Sequence, residues 1–233
     1  MHQPIEAWHP SFVETNDFSV DDCVSLTFNV LAIPAQSLSG RSYLFELKYD
    51  GFRAVAYIER GASKLVSRKG NTYKLFNELC AGIASTLKVK DAIIDGEIVC
   101  LDEAGVPRFD WLLHRRHPPS FVAFDLMWMN GRDYRSKPLL ERKKALRKII
   151  PSGSPFVLYA DFVIERGVGL FRAACARDLE GIIAKRTDEP YADNVRWVKV
   201  KNPGYTQAVG RGEEFQRKRT RPVPLPVHRR PQS

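Results

Sequence analysis

One lysine of the chain lies between two carboxylates in a pattern that suits nucleophilic chemistry. The stretch Phe45–Arg53 reads FELKYDGFR, which predicts a strand, a turn at Gly51 and a second strand. Side chains alternate across a strand, so Glu46, Lys48 and Asp50 would share one face. A lysine can attack another atom only after it loses its proton, which requires a shielded and tuned site. The same pattern is also typical of a half-buried hairpin whose lysine extends into water.

Carboxylates and amines recur in two later strand-like segments. Asp95 and Glu97 flank a glycine inside an apolar strand, where carboxylates are costly unless they are paired, hydrogen-bonded or close to a metal. Near the end of the chain, WVKVK alternates, so Lys199 and Lys201 would share one face. Two amines that converge repel each other unless an anion lies between them. These segments therefore favour a site that binds an anionic ligand.

The segment Lys48–Arg53, KYDGFR, resembles the nucleotide-attaching motif of covalent nucleotidyltransferases. That superfamily includes ATP-dependent DNA ligases, RNA ligases and mRNA-capping guanylyltransferases. With the preceding FEL, the segment is most similar to bacterial ATP-dependent DNA ligases of the end-joining type. The resemblance spans about residues 41–207, and five further stretches follow the ligase order: Ser67–Gly70, Asp95–Glu97, Phe121–Leu126, Leu179–Arg186 and Trp197–Lys201.

The resemblance implies a role for each matching residue. Lys48 would form lysyl-AMP, and Phe124 would stack on the base while Glu97 holds the ribose. Arg68 would contact a phosphate, and Lys199 and Lys201 would hold the α-phosphate. The implied catalytic residues are Lys48, Asp50, Arg53, Lys199 and Lys201. The implied nucleotide-binding residues are Glu46, Lys48, Arg53, Arg68, Glu97, Phe124, Lys185, Lys199 and Lys201. Glu180 and Asp50 would bind Mg²⁺, and ATP and DNA would be the substrates.

The strands and helices that must position these residues can be predicted from the spacing of apolar residues, which recur every two residues in strands and every three to four in helices. Period-two segments predict strands at 43–49, 52–59, 64–67, 92–101, 121–128, 157–164, 181–185 and 196–201. Three-to-four-residue spacing predicts helices at 73–89, 109–116 and 168–177, and a helix that begins at Pro138 and ends before Pro151. Together they predict an α+β chain with antiparallel sheets flanked by helices, which the resemblance identifies as the ATP-grasp-like nucleotidyltransferase fold.

Length and charge predict one basic globular domain with two terminal segments. The chain has 233 residues, 44% of them hydrophobic, and a net charge of +9, which favours nucleic acid as a partner. We expect an N-terminal segment of unknown role at 1–40, the adenylation domain at 41–207, and a disordered tail rich in Pro and Arg at 208–233. Scattered cysteines and the lack of a membrane-spanning apolar run indicate a cytoplasmic protein.

The sequence departs from the ligase pattern after Lys201. The residues that follow are too few for the C-terminal OB-fold domain of ligases, so we expect such a domain, or an end-joining partner, to act in trans. A capping-type guanylyltransferase and a nucleotide- or DNA-binding relic without sealing activity stay open as alternatives.

Overall fold

The computed structural model describes residues 43–192, 195 and 197–208. The predicted segment 1–40 and almost all of the predicted tail therefore lie outside the described residues. In chain order the first elements are β1 Tyr43–Leu47, β2 Phe52–Glu59, β3 Ala62–Ser67, α1 Asn77–Thr86, β4 Asp91–Val99, α2 Phe109–His114, β5 Ser120–Met129 and β6 Arg132–Asp133. The remaining elements are α3 Leu139–Ile149, β7 Val157–Tyr159, β8 Phe162–Ile164, α4 Gly167–Ala176, β9 Gly181–Arg186, β10 Val198–Lys201 and a 3-10 turn at Thr206–Ala208.

The strands form two sheets, and with the helices they give the predicted α+β fold. The smaller sheet has the order β10-β9-β1-β8, and the larger has the order β3-β2-β4-β5-β6 with β7 added beside β5. All pairings are antiparallel except that of β5 with β7, which is parallel. The predicted single strand 157–164 is therefore wrong, because the chain breaks at Ala160 and Asp161 and its two halves join different sheets.

Helix α1 packs on the larger sheet and is shorter than predicted. Leu79 and Ile83 are buried in the core of the larger sheet, and the helix contacts β3, β5 and β7. Leu75, which the spacing placed on the same apolar face, is instead 65% exposed. The reason is that residues before the helix continue the sheet pairing, since the Tyr73 amide donates to the carbonyl of Leu65.

Helix α3 covers the other end of the larger sheet and buries basic side chains. Arg142 and Lys143 are 1% and 0% exposed. The Arg142 guanidinium donates to both carboxylate oxygens of Asp125 on β5, at 2.7 and 2.9 Å. A buried charge is tolerated only when it is paired in this way.

The smaller sheet separates an apolar face from a charged face. Phe45, Ile182 and Val200 pack with α4 on one face. The register pairs Glu46 with Ile183 and Ile183 with Lys199, so Glu46 and Lys199 lie on the other face. Because neighbouring strands keep their register, four of the side chains predicted to hold the nucleotide share this second face: Glu46, Lys185, Lys199 and Lys201.

Glycines allow the strands to approach each other closely around the site. A side chain at Gly51 would place its Cβ 2.1 Å from the carbonyl oxygen of Ile98, and one at Gly181 would lie 2.0 Å from that of Val200. Gly181 also has a φ of 140°, which favours glycine. No helix among the described residues is long and apolar enough to cross a membrane.

Candidate active site

Lys48 directly follows β1, where the chain meets the start of β9. Its amide donates to the Gly181 carbonyl at 2.9 Å, and its Nζ is 2.5 Å from a carboxylate oxygen of Glu180. The two side chains are 15% and 14% exposed, so they are shielded but within reach of a ligand. The ion-pair partner of Lys48 is thus Glu180, rather than its neighbours Glu46 and Asp50 along the chain. The prediction that all three share one strand face is wrong in this respect, because β1 ends at Leu47.

Asp50 is buried beside this ion pair. Its Oδ2 accepts a hydrogen bond from the Tyr205 hydroxyl at 2.7 Å. Asp50 is 5% and Tyr205 is 7% exposed. No sequence pattern indicated a role for Tyr205, which lies after the last matching motif.

Arg53 is held by a carboxylate of the larger sheet, and a tyrosine from the connection between β9 and β10 bonds to the same carboxylate. Its Nε donates to Asp95 Oδ1 at 3.0 Å, and its Nη2 contacts Asp95 Oδ2. The hydroxyl of Tyr191 donates to the same Oδ2 at 2.6 Å. Asp95 is fully buried, and these partners meet the expectation that a carboxylate on this strand is paired, hydrogen-bonded or close to a metal. Such a clamp fixes the guanidinium in one orientation.

Glu97 faces the same space from β4, where it pairs with Arg53 across the strands. Burial raises its pKa to about 8, although the positive charges of Lys48 and Arg53 oppose the shift. A carboxyl group with this pKa is largely protonated at neutral pH and can donate a hydrogen bond.

We expect the protein to lose stability as the pH rises from about 4.5 to 8, with Glu97 as one cause. The unfolded chain ionises Glu97 near its ordinary value of 4.5, whereas the folded chain keeps it protonated to about 8. The stabilising contribution is therefore complete below the lower value and is lost as the pH rises through the upper one.

The side chain of the Glu97→Gln variant stays neutral at every pH. The melting temperature of the variant relative to that of the wild type should therefore rise as the pH rises from about 4.5 to 8. Calorimetry at a series of pH values measures the difference. The exposed Glu103→Gln serves as control, and a Glu97→Gln difference that does not grow with pH would contradict the assignment.

Phe124 is covered on its site-facing side by a tryptophan and two cations. The Trp197 ring meets it edge-on at 5.6 Å, and the Lys185 Nζ lies 4.5 Å from the Phe124 ring centre and 3.8 Å from that of Trp197. The Arg53 guanidinium lies 5.4 Å from the Phe124 ring centre. Phe124 is consequently only 8% exposed, and a base could stack on it only after one of these neighbours moves.

Glu46 lies in a buried cluster with two lysines. Its carboxylate oxygens are 2.6 Å from the Nζ of Lys143 and 2.6 Å from that of Lys185. All three side chains are at most 2% exposed. Burial lowers the pKa of Lys185, and the Glu46 carboxylate opposes that shift. Lys143 was missed because its segment, ERKKALRKI, is typical of a solvated helix face.

The remaining predicted residues lie around the edge of this site. Lys199 is half-buried and Lys201 is exposed, and their register places both on the charged face of the smaller sheet. Arg68 is exposed in the turn after β3, just beyond the last β2–β3 pair, Ala54 with Ser67. The structure thus brings Lys48, Glu180, Glu97 and Arg53 together and leaves Arg68 in a peripheral turn.

The donor set around Lys48 fits a cation that is shared with a phosphate ligand. Across residues 43–208, apart from positions 193, 194 and 196, no group of three or more His, Cys, Asp and Glu could hold a metal ion. Mg²⁺ commonly uses one or two carboxylates, several waters and the phosphates of a substrate. Glu180 and Asp50 could supply such carboxylates.

Comparison with known protein families gives one match over most of the chain. Residues 30–201 match the model of the ATP-dependent DNA ligase domain.

Two relatives and one solved structure show the extent of the similarity. The SPbeta prophage-derived DNA ligase-like protein LigB of Bacillus subtilis is 29% identical, over 75% of this chain and 66% of its own length. The multifunctional non-homologous end joining protein LigD of Mycobacterium bovis is 32% identical, over 71% of this chain and 22% of its own length. A mycobacterial DNA ligase D solved with ATP and MES superimposes with a TM-score of 0.58 at 29% identity, covering 69% of this chain and 54% of that one. The chain therefore spans only part of these proteins.

Proposed function

The chain belongs to the ATP-dependent DNA ligase family, and from that premise we propose that it joins DNA strands through a lysyl-AMP intermediate in DNA repair and recombination. The observation that carries the proposal is the ion pair of Lys48 with Glu180, at 2.5 Å in a shielded cleft. The Glu180 carboxylate, from a distant part of the chain, holds Lys48 beside Arg53 and Glu97, where Lys48 can attack a bound phosphate once it has lost its proton. The names of the relatives favour a ligase over a capping enzyme.

The first step forms a bond between Lys48 and ATP. The neutral Nζ attacks the α-phosphorus, the new P–N bond forms, and the bond to the leaving pyrophosphate breaks. Lys48 must lose a proton before it attacks, and the Glu180 carboxylate lies within hydrogen-bond distance of its Nζ. Lys199 and Lys201, on the charged face of the smaller sheet, offset the negative charge that develops on the phosphate.

The proposed reaction uses a divalent cation, and the residues present fit Mg²⁺. Glu180 and Asp50 would hold it together with the phosphates of ATP. When bound, it supplies charge neutralisation at the α-phosphate and at the leaving pyrophosphate.

The later steps transfer AMP to DNA and join the strands. The DNA 5′-phosphate displaces Lys48 from the AMP phosphorus, and a 3′-hydroxyl then attacks the DNA phosphate and releases AMP. Asp50 and Arg53 assist these steps, and Arg68 contacts a DNA phosphate. We further propose that an OB-fold domain or an end-joining partner acts in trans. We also propose that the protein is cytoplasmic.

Covalent labelling followed by a chase tests this function. The protein is incubated with α-labelled ATP and MgCl₂ and separated on a denaturing gel, and the labelled peptide is mapped. The labelled protein is then given a nicked duplex with a 5′-phosphate. We expect label on Lys48 that moves to the DNA before joined strands appear. A protein that takes no label, with or without DNA, would contradict the proposal.

Nucleotide choice should follow the pocket that contains Phe124 and Glu97. We expect ATP to label the protein and GTP not to label it, whereas equal labelling by GTP would indicate a capping-type enzyme. Phe124→Ala should weaken ATP binding by about 1–3 kcal/mol if the ring stacks on adenine. Titration calorimetry measures the change, and Phe156→Ala, which removes a ring packed beside α1, is the control.

DNA binding should be weak and strongly dependent on salt. The described domain is basic, and each phosphate that it neutralises contributes about −0.9 to the slope of log affinity against log salt. If the basic segment 211–233 contacts DNA, its deletion should flatten that slope, which a fluorescence titration at several salt concentrations measures. An unchanged slope and affinity would restrict DNA contact to residues such as Arg53, Arg68 and Lys69.

A further inference from the structure

The residues that follow β10 fold back onto the candidate active site. We refer to residues 202–207 as the C-terminal strap. The family match ends at residue 201, so the strap lies outside it. The Asn202 amide donates to the Glu180 carbonyl at 2.9 Å, and its side-chain Nδ2 donates to the Leu179 carbonyl at 3.0 Å. The strap therefore begins against the residue that pairs with Lys48.

The far end of the strap connects the two sheets. The Thr206 amide donates to Asp178 Oδ1 at 2.9 Å, beside the start of β9. Gln207 Nε2 donates to the Pro107 carbonyl at 2.9 Å, and Gln207 Oε1 accepts from the Phe109 amide at 3.3 Å. Pro107 lies in the connection that follows β4 of the larger sheet, and Phe109 is the first residue of α2. Both ends of the strap are thus fixed, which orders the residue between them.

Tyr205 is that residue, and its hydroxyl reaches the loop that follows Lys48. It donates to Asp50 Oδ2 at 2.7 Å. Both side chains are almost fully buried. A hydrogen bond from a buried donor to a carboxylate is strong and directional.

We propose that Tyr205 is a positioning residue, whose hydroxyl fixes the Asp50 carboxylate two residues from Lys48 for the strand-joining step. This inference rests on the proposed ligase function, because it assigns Asp50 a part in that reaction. Holding one carboxylate oxygen sets the rotation of the whole group. The DNA 3′-hydroxyl then meets an Asp50 carboxylate that is already oriented, so no entropy has to be lost to orient that group during the reaction.

The closing experiment compares Tyr205→Phe with a matched change elsewhere in the strap. Tyr205→Phe keeps the buried ring and removes only the donor. Thr206→Val removes the Oγ1 contact to Asp178 Oδ2, at 2.5 Å, without touching Asp50. On a nick that already carries AMP, Tyr205→Phe should join strands about tenfold more slowly. Thr206→Val should join them at the wild-type rate. Equal slowing of both variants would mean that the strap acts only as a structural tie.

A double-mutant cycle tests whether Tyr205 acts through Asp50. In the Asp50→Ala background the further change Tyr205→Phe should have no effect, because its partner is already absent. Two effects that multiply would overturn the proposal, as would a Tyr205→Phe variant that joins strands at the wild-type rate.

Hydrogen exchange gives a readout that does not depend on activity. In Tyr205→Phe, amides of residues 48–51 should exchange about tenfold faster than in the wild type or in Thr206→Val. Unchanged exchange would overturn the inference even if the ligase function holds. A wild type that never forms lysyl-AMP would remove the ligase function, while the exchange comparison would still show whether Tyr205 orders the loop.

Discussion

Replacing Lys48 by alanine should abolish covalent labelling by α-labelled ATP, whereas the folded protein and its affinity for DNA should persist. Lys48 is the amine of the motif, and it lies in the cleft against Glu180. Lys48→Arg should not restore the label, because a guanidinium does not deprotonate in proteins and cannot act as the nucleophile. Gel autoradiography measures the label, and circular dichroism checks the fold.

The control for this prediction is Lys88→Ala, which removes an exposed amine whose Nζ contacts the Ser85 carbonyl near the end of α1. It should leave labelling at the wild-type level. Label that persists undiminished in Lys48→Ala would assign the nucleophile to another residue.

Removing the charge of Glu46 should cost more stability than any other change considered for this chain. In Glu46→Gln the buried amines of Lys143 and Lys185 face each other without their common carboxylate. Breaking a buried ion pair by neutralising one partner typically costs about 3–5 kcal/mol in the free energy of unfolding. Urea denaturation of the variant and the wild type measures the difference.

Glu59→Gln is the matched control, because Glu59 forms an ion pair with Arg60 on the surface, where both side chains are largely exposed. It should change the free energy of unfolding by no more than about 0.5 kcal/mol. If Glu46→Gln instead kept its stability and lost ATP affinity, Glu46 would serve the nucleotide directly, as the sequence resemblance implies.

The charged face of the smaller sheet could be predicted because strand alternation is a local property. The alternation of WVKVK placed Lys199 and Lys201 together, and the register bears this out. Likewise, Asp95 within an apolar strand predicted a paired carboxylate, and the structure supplies Arg53 and Tyr191 as its partners. The sequence is sufficient to predict such features when they depend on the residues of a single strand.

Helix ends and strand breaks were less predictable because neighbouring elements compete for the same residues. The spacing of Leu75 fits the apolar stripe of α1, yet pairing of Tyr73 with β3 delays the helix to Asn77. The segment 157–164 reads as one strand, yet its halves pair with β5 and β1 in separate sheets. Residue spacing predicts that a helix or strand is present, whereas pairing with neighbouring strands determines at which residues it begins and ends.

The sequence by itself determined the family resemblance, the α+β class and the identity of the candidate nucleophile, because residue types and their order along the chain record the chemistry. Only the tertiary structure decided which charges meet. Lys48 pairs with Glu180, Glu46 pairs with Lys143 and Lys185, and Asp50 accepts from Tyr205. These partners are far apart in the chain, and their contacts depend on sheet register and on how the helices and the strap pack. No local pattern encodes those arrangements, since burial of a charged side chain is settled only when its partner arrives from another element.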